Sequence, residues 1–378
     1  MRSLQRIRRG RLRQHPAARV DQDRLAPARS KIDSQQLRHG PFCHALSAKY
    51  TESVRRAVVD VGSNSVLLAV AELREGRWKP VFESAQVTGL GTGARQSGLL
   101  QAEPMNRTLE ALRGAFEKAA HHGAESTLAA ATMALRIATN ADEFLGAARS
   151  QGTPVTVVSG EDEARLGFES VSADPRWAGD RRITILDPGG HSTEIVTSER
   201  KGAGWSKKFE NSFAVGALGL LEGPLEAESP DAAALVRAST EIDECLNARL
   251  PELPAGRIVS LGATPVNLAR IELGLTEWDP EAIHGFELGL ATISGYVQKL
   301  SALSLEQRRG LRGIEPGREA TLPGGALILE RCLHYLRAET CSVSVRGWRH
   351  AMIEQESWWR PGELTGGVQK NAQQFDSA

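Results

Sequence analysis

A short polar motif occurs twice in this chain, and it constrains the fold more than any other feature. The pattern Asp-x-Gly-x-x-Ser appears in VDVGSNSVLLAV, residues 59–70, and again in LDPGGHSTEIV, residues 186–196. Asp60 and Asp187 are 127 positions apart, and the two serines of the pattern have the same offset. Each motif lies between two apolar runs, which predicts a tight turn joining two β-strands. Two such hairpins indicate an internal duplication.

The pattern of apolar residues around the motifs predicts two similar α/β halves with mixed sheets covered by helices. We place the boundary near residue 177, giving domains at 54–176 and 177–356. In the first half we expect strands at 57–61, 65–73, 78–87, 126–132 and 154–159, and helices at 104–123, 140–150 and 160–171. In the second half we expect strands at 181–187, 192–199, 205–212, 256–262 and 340–345, helices near 214–222, 230–249, 265–274, 286–309 and 317–338, and a short terminal helix.

Composition excludes several classes of protein. The 46 basic residues balance the 46 acidic ones, so no net charge recruits nucleic acid or an anionic membrane. No apolar stretch approaches the roughly 20 residues that a membrane-spanning helix needs. The four cysteines are scattered without a C-x-x-C pair, which argues against disulfides or a zinc site and favours a cytoplasmic location.

The two ends of the chain differ from its centre. Residues 1–53 are rich in Arg and lack apolar periodicity, and they contain no apolar core of a secretory signal. We interpret them as a disordered basic tail or as upstream sequence included by a misplaced start codon; a nucleic-acid-binding arm or a targeting segment is the alternative. Residues 357–378 are predicted to be a second disordered tail.

The residues of the two turns suit the binding of an anion. Glycine permits positive φ and close approach, so the N–H groups of such a turn can converge on a phosphate. Ser and Thr hydroxyls add donors, and an Asp at the end of the preceding strand can hold Mg²⁺ or its waters. Asp and Gly are also common in ordinary turns, so one copy is weak evidence. Two copies that open similar halves predict a cleft that grips a polyphosphate from both sides.

Further stretches, including ATMALRIATNADEFL, VVSGEDEARLGFESV, SLGATPVNLARI and PGREATLPGGALILE, extend this pattern. With them, residues 55–356 resemble the exopolyphosphatase/guanosine pentaphosphate phosphohydrolase family of the actin-like, sugar-kinase-like ATPase superfamily. The resemblance implies an α/β fold of two ribonuclease-H-like (actin-like ATPase) domains with mixed sheets flanking an interdomain cleft. The chain is similar to the short form of the family, for which homodimerisation is an expectation.

The resemblance also implies roles for particular residues. Glu163 is then the catalytic base that activates the attacking water, and Arg136 contacts phosphate. Asp60, Asp187 and Glu163 are expected to bind the cofactor, Mg²⁺. Contacts to the substrate are expected from both turns and from one later glycine, namely Gly62, Ser63, Asn64, Ser65, Gly189, Gly190, His191, Ser192, Thr193 and Gly262.

Structural interpretations of some of these residues stay open. Ser159 fits the N-cap of a helix, and Glu161 with Arg165 fits an i,i+4 ion pair on its surface. Without the resemblance, Arg136 is an ordinary solvated arginine. His284, in the motif IHG, is interpreted as a structural histidine rather than a ligand.

The chain also departs from the family pattern. Pro188 and His191 stand where the family has an aliphatic residue and a glycine, Ala263 replaces a glycine, and Val345 replaces an aspartate. His191 either adds a phosphate contact or narrows the pocket. The glycine-rich stretch at 89–93 lacks the spacing of a dinucleotide-binding loop, so we reject that interpretation.

Three functions are compatible with these residues. The first is a Mg²⁺-dependent phosphohydrolase that releases terminal phosphate from inorganic polyphosphate or guanosine pentaphosphate by in-line attack of water. The second is a degenerate sensor that binds polyphosphate or nucleotide without turnover, suggested by the departures above. The third is an ATP-dependent small-molecule kinase, disfavoured because the segment around Glu163 matches the hydrolase branch.

Overall fold

The computed structural model describes residues 54–360 and the backbone of Gln369–Lys370. The predicted tail at 1–53 lies outside the described residues, as does most of the tail predicted at 357–378. The start of that second tail differs from the prediction, because Glu356–Trp359 forms a 3₁₀-helix. The Trp359 Nε1–H donates to the Met352 carbonyl at 2.9 Å, and the guanidinium of Arg56 lies over its ring.

The first sheet is built from the N-terminal half and one C-terminal edge strand, β12 (Gln369–Lys370), and has the strand order β12-β4-β1-β2-β3, with β5 beside β4. Strands β1, β2 and β3 are antiparallel neighbours, whereas β4 runs parallel to β1 and β5 parallel to β4. The bounds are β1 Arg55–Val61, β2 Ser65–Arg74, β3 Arg77–Val87, β4 Ser126–Ala131, β5 Val155–Val157 and β12 Gln369–Lys370.

The second sheet repeats this arrangement, with the order β10-β11-β9-β6-β7-β8. Strands β6, β7 and β8 are antiparallel, β9 runs parallel to β6, and β11 runs parallel to β9. The bounds are β6 Arg182–Pro188, β7 Thr193–Lys201, β8 Gly204–Phe213, β9 Arg257–Ser260, β10 Glu287–Gly289 and β11 Thr340–Val343.

The duplication extends to an irregularity of the strands. The pairing of β2 with β3 shifts register between Val70 and Ala71, and that of β7 with β8 shifts between Thr197 and Ser198. These positions have the same separation as the two aspartates of the repeated motif. A β-bulge bends and twists its strand, so the two hairpins have the same curvature. The α/β fold with two mixed sheets is therefore confirmed, while the exact domain boundary near 177 stays a prediction.

Helices cover both sheets. Their bounds are α1 Ala94–Ser97, α2 Ala102–His121, α3 Met133–Ile137, α4 Ala141–Ser150, α5 Gly160–Ser172, α6 Ala217–Leu221, α7 Ala232–Asn247, α8 Ala263–Leu273, α9 Pro280–Ile283, α10 Leu290–Ala302, α11 Leu305–Arg309, α12 Leu322–Tyr335 and α13 Trp348–Glu354. Among the residues that the structure describes, no helix is long and apolar enough to cross a membrane.

Two predicted helices are too long. The helix expected at 286–309 is a short strand followed by two helices, and α11 begins at a capping box formed by Ser304 and Gln307. The helix expected at 317–338 begins only at Leu322, since Gly313 and Gly317 before it adopt φ values of 104° and 85°. Positive φ does not fit a right-handed helix.

Helix α5 joins the two halves through its two faces. Ala164, Phe168 and Val171 pack on the second sheet, while Leu166 belongs to a separate cluster with the first sheet and α13. The last helix thus returns to the N-terminal half, where it packs on β1 and β2. As a result, a residue at the start of α5 lies between the two sheets.

Candidate functional site

The two repeated turns close in the same way. The Gly62 N–H donates to the Ser65 carbonyl at 2.9 Å, and the Gly189 N–H donates to the Ser192 carbonyl at 2.8 Å. A Cβ at either glycine would lie 3.2 Å or 3.0 Å from that carbonyl oxygen, respectively. The closeness of the turn therefore explains the glycine of the motif in both copies.

The carbonyl groups of both turns are held by the segment that follows the third strand of each hairpin. In the first half, Thr88 and Gly89 donate to the Asn64 carbonyl and Gly91 donates to that of Ser63. The glycine-rich stretch at 89–93 thus supports the first turn.

In the second half, Ala217 at the start of α6 donates to the Gly189 carbonyl, and the next two N–H groups donate to the Gly190 carbonyl. These bonds hold the turn carbonyls, and other peptide N–H groups of the turns are left without an acceptor among the described residues. Within residues 54–360 no acceptor is found for the N–H groups of Ser63, Asn64, Gly190 and His191. Converging N–H groups of this kind form an anion site.

The turns face each other across one cavity of about 370 Å³. Gly190 lies against the other turn, since a Cβ there would be 3.1 Å from the Ser63 Cβ. Twelve of the residues predicted for the site line this cavity, namely Asp60, Gly62, Ser63, Asn64, Ser65, Glu163, Asp187, Gly189, Gly190, His191, Ser192 and Gly262.

Arg136 and Thr193 are not among the residues that line the cavity. Arg136 Nη1 donates to Glu163 Oε2 at 3.0 Å and to the Val158 carbonyl at 2.8 Å, so it contacts the predicted base directly. The Thr193 hydroxyl donates to the Val215 carbonyl at 2.7 Å and is buried. The placement of Thr193 favours a structural role in the second hairpin.

Glu163 lies in the first turn of α5 and points into the cavity with its side chain 10% exposed. Burial raises its pKa well above the ordinary value, Glu194 adds to the effect, and Arg136 opposes it. Ser159 caps the helix by accepting the Asp162 N–H, as predicted. The predicted Glu161–Arg165 pair is replaced by pairs of Arg165 with Asp162 and Glu169, which lie on the same helix surface.

Asp60 and Asp187 are the strand-end carboxylates of the two hairpins. Burial raises the pKa of each to about 7. The charges of Arg349 and Arg318 oppose this rise at Asp60, and the charge of Arg349 opposes it at Asp187. The Oδ1 atom of Asp60 is buried without a hydrogen-bond partner in the described part of the chain. Gly262 adopts φ 82°, and a Cβ there would lie 2.7 Å from Asp187 Oδ1, so glycine is needed beside this carboxylate.

These carboxylates fit a magnesium ion that keeps much of its hydration shell. Among residues 54–360, no three or more His, Cys, Asp or Glu side chains lie close enough together to hold a metal by themselves. Mg²⁺ is commonly bound through one or two carboxylates, with water and substrate phosphate completing its coordination. Asp60 and Asp187 would then hold the ion, and the unpartnered Oδ1 of Asp60 is an available ligand atom.

The ring of His191 does not face the cavity. Its side chain is 1% exposed and lies against Gly91, where a Cβ would be 2.6 Å from His191 Cε1. Its Nε2 is 3.7 Å from Oε2 of Glu222, whose other oxygen accepts the Gly93 N–H at 2.7 Å. The backbone of His191 is thus the part that can contact a ligand, while its ring connects the second turn to the N-terminal half.

His284 has partners at both ring nitrogens, in agreement with a structural role. Its Nε2 is 3.0 Å from Asp174 Oδ2, and its Nδ1 accepts the Val345 N–H at 3.4 Å. Its ring also meets the edge of Trp177. These contacts attach the end of α5 to the C-terminal half.

Several residues at the cavity were missed by sequence reasoning. Glu194 lies two residues after the serine of the second motif, accepts a hydrogen bond from the Ser212 hydroxyl at 2.6 Å and raises the pKa of Glu163. Arg318 lies in the stretch PGREATLPGGALILE and Arg349 lies four residues after Val345, and the charges of both lower the pKa of Asp60. Glu83, in the middle of β3, carries no local signal, because only the folded chain brings α13 to it.

Comparisons with known proteins agree with this geometry. Residues 69–357 match the Ppx/GppA phosphatase family. Exopolyphosphatase 2 of Mycobacterium tuberculosis is 30% identical over 297 residues, which cover 75% of this chain and 91% of the relative. A crystal structure of the Aquifex aeolicus member of the family superposes with a TM-score of 0.65 at 27% identity, covering 80% of this chain and 97% of the other.

An exopolyphosphatase structure from Cytophaga hutchinsonii has the same fold. Its TM-score is 0.70 at 20% identity, over 79% of this chain and 96% of the other. The chain therefore belongs to the Ppx/GppA phosphatase family, and it is a hydrolase of phosphoanhydride bonds.

Proposed function

We propose that this protein removes terminal phosphate from inorganic polyphosphate or from the 5′ end of guanosine pentaphosphate, in a Mg²⁺-dependent reaction. The observation that carries the proposal is the position of Glu163, a buried carboxylate of raised pKa that faces the same cavity as two opposed anion-binding turns. The name of the mycobacterial relative supports polyphosphate as the substrate.

The chemistry follows from these groups. The free N–H groups of the two turns bind the oxygens of the terminal phosphoryl group and of the next phosphate. Glu163 takes a proton from a water molecule, the water oxygen forms a bond to the terminal phosphorus, and the anhydride oxygen leaves with the shortened chain. A magnesium ion at Asp60 and Asp187 would neutralise charge on the phosphate oxygens.

Arg136 has a supporting part in this proposal. Its Nη1 donates hydrogen bonds to both Glu163 and the Val158 carbonyl, and these two bonds fix the direction of the Glu163 carboxylate. A base whose pKa lies closer to the working pH is a more effective catalyst than an ordinary solvated carboxylate. The raised pKa of Glu163 therefore suits the abstraction of a proton from water.

The sensor remains a second candidate, since the departures at Pro188, His191 and Ala263 suggested it. The buried ring of His191 weakens this alternative, because the ring does not obstruct the cavity. Pro188 is the last residue of β6, where it pairs with Thr193. The free N–H groups of this turn belong to Gly190 and His191, so the N–H that proline lacks does not reduce their number.

One experiment tests these functions together. Phosphate release by the full chain is measured with polyphosphate, guanosine pentaphosphate and ATP, with and without Mg²⁺, for the wild type and Glu163→Gln. We expect Mg²⁺-dependent release from polyphosphate or guanosine pentaphosphate that the substitution abolishes. Binding without release from any substrate would contradict the hydrolase and favour the sensor. Consumption of ATP only with an added acceptor would favour a kinase.

A further inference from the structure

Arg349 is a cavity residue that the proposed mechanism has not used. It lies in the first turn of α13, the helix that returns to the N-terminal half, and its side chain is 16% exposed. Its Nη2 donates to Glu83 Oε1 at 3.2 Å. The Nε–H is buried and has no acceptor among residues 54–360. The guanidinium is thus held at one end only.

Glu83 is itself held in one orientation by His350. The Gly347 N–H donates to His350 Nδ1 at 3.0 Å, so the proton of the neutral ring is on Nε2, which donates to Glu83 Oε1 at 2.9 Å. Burial alone would raise the pKa of Glu83, but the hydrogen bond from His350 and the charge of Arg349 lower it to about 2. Glu83 is therefore ionised at any working pH, and it fixes the Arg349 guanidinium.

The charge of Arg349 is directed at the two hairpins. It is the largest of the effects that lower the pKa of Asp60, and it also lowers that of Asp187. An arginine offers five N–H donors in a planar fork that matches the oxygens of a phosphoryl group. With Glu83 occupying one nitrogen, the others remain available to an anion in the cavity.

The neighbouring Arg346 lies in the same segment, but both its Nε and its Nη2 have acceptors. Its Nη2 donates to Glu354 Oε1 at 2.6 Å, and its Nε donates to the Ser170 carbonyl at 3.2 Å. Arg346 therefore attaches the terminal segment to α5. The contrast shows that proximity to the cavity alone does not make an arginine available to a substrate.

We propose that Arg349 contacts phosphoryl oxygens of the substrate, and that Glu83 and His350 are positioning residues that aim its guanidinium at them. This inference rests on the proposed phosphohydrolase function for its substrate class. It adds a third source of donors to the two backbone turns. Because a Lys cannot bond Glu83 and a phosphate through a planar fork, Arg349→Lys does not replace the function.

The binding test uses inorganic tripolyphosphate and the full chain in a Glu163→Gln background, so that no hydrolysis occurs. Calorimetry with Mg²⁺ compares that background with added Arg349→Ala, Arg349→Lys or Arg237→Ala. Arg237 is exposed on α7 and lies away from the cavity, so it is the matched control. We expect binding about 10- to 100-fold weaker for Arg349→Ala, the loss of a charge-assisted hydrogen bond, and no change for the control.

Two further measurements separate a direct contact from a structural role. Added guanidinium should restore part of the binding to Arg349→Ala, and it should do nothing for the control. In the Glu163-containing enzyme, Glu83→Gln should raise KM or lower kcat for polyphosphate by about 3- to 10-fold when assayed well below the melting temperature of the variant, because the arginine is present but less well aimed.

The outcomes are distinguishable from those of the proposed function. If the wild type releases no phosphate but binds tripolyphosphate through Arg349, the hydrolase proposal fails and the contact stands. If Arg349→Ala and Arg349→Lys both bind within twofold of the background, or if tripolyphosphate does not bind at all, the contact is wrong. Should Arg349→Ala fold poorly, Arg349→Lys decides the question by the same criterion.

Discussion

The two repeated hairpins have the same backbone but different side-chain surroundings. In both, a glycine closes the turn and a later segment holds the carbonyls, and two N–H groups of each turn have no acceptor among residues 54–360. In the first turn, Asn64 Nδ2 lies 3.5 Å from the Thr321 hydroxyl, within hydrogen-bond reach. In the second, the ring of His191 is buried against Gly91 of the opposite half. Duplication thus preserved the main-chain arrangement that is predicted to bind an anion, while side chains came to determine how the halves contact each other.

The two hairpins also differ in how strongly their carboxylates influence the pKa of Glu163. Glu194 and Asp187, both from the second hairpin, each influence the pKa of Glu163 more than Asp60 of the first hairpin does. Metal and phosphate are expected to be gripped from both sides, whereas the pKa of the predicted base is influenced more by the carboxylates of the second hairpin. The following predictions test this comparison.

Removing the base should give the largest effect. Glu163→Gln keeps the size of the side chain and its bond to Arg136, yet it cannot accept a proton from water. We expect kcat for polyphosphate to fall by about 10²- to 10⁴-fold with binding retained. Glu161→Gln, an exposed neighbour on the same helix, is the control and should keep its activity. Equal rates for the two variants would contradict the assigned role.

The next largest effect is expected on stability, at the start of α6, where the chain supports the second turn. A Cβ at Gly216 would lie 2.4 Å from the backbone of Gly190, which cannot move without disturbing the turn. We expect Gly216→Ala to lower the free energy of unfolding by about 2–3 kcal/mol, measured by urea denaturation. Gly114→Ala is the control, because a Cβ there meets nothing within 4 Å. An unchanged unfolding midpoint for Gly216→Ala would show that the backbone can yield.

A clash at the contact between the halves should lower stability less, because one of the two clashing groups is a side chain that can shift. Gly91→Ala places a Cβ 2.6 Å from His191 Cε1, and we expect a loss of about 1–2 kcal/mol. Adding His191→Gly should recover most of that loss, which a double-mutant cycle by denaturation would show. Additive losses in the cycle would mean that the two residues are not coupled.

A different kind of effect should be a pH dependence of stability in the presence of a chelator. Asp60 and Asp187 keep their protons in the folded chain up to about pH 7, whereas their ordinary pKa is 3.8. The folded state therefore binds more protons between these values, and the free energy of unfolding should fall as the pH rises from 5 to 8. Mg²⁺ should raise the melting temperature at pH 8 more than at pH 5. The reverse order would contradict a cation site at these carboxylates.

Local patterns were sufficient for much of the fold and of the site. Alternating apolar residues and the repeated turns predicted both hairpins, and twelve of the fourteen predicted site residues line one cavity. The long helix predicted at 286–309 was wrong because Ser304 and Gln307 form a capping box within a continuous apolar pattern. Glu83 was missed because its partners are more than 260 residues away in the sequence.

The sequence by itself determined the duplication, the turn chemistry and the family resemblance, because strand periodicity, glycine requirements and strand-end carboxylates are properties of neighbouring residues. Only the tertiary structure decided which groups remain free to bind. Both Nε and Nη2 of Arg346 have acceptors, whereas the Nε of Arg349 has none among residues 54–360, although three positions separate the two arginines. Availability depends on which groups distant segments bring within hydrogen-bond reach, and no local pattern records that.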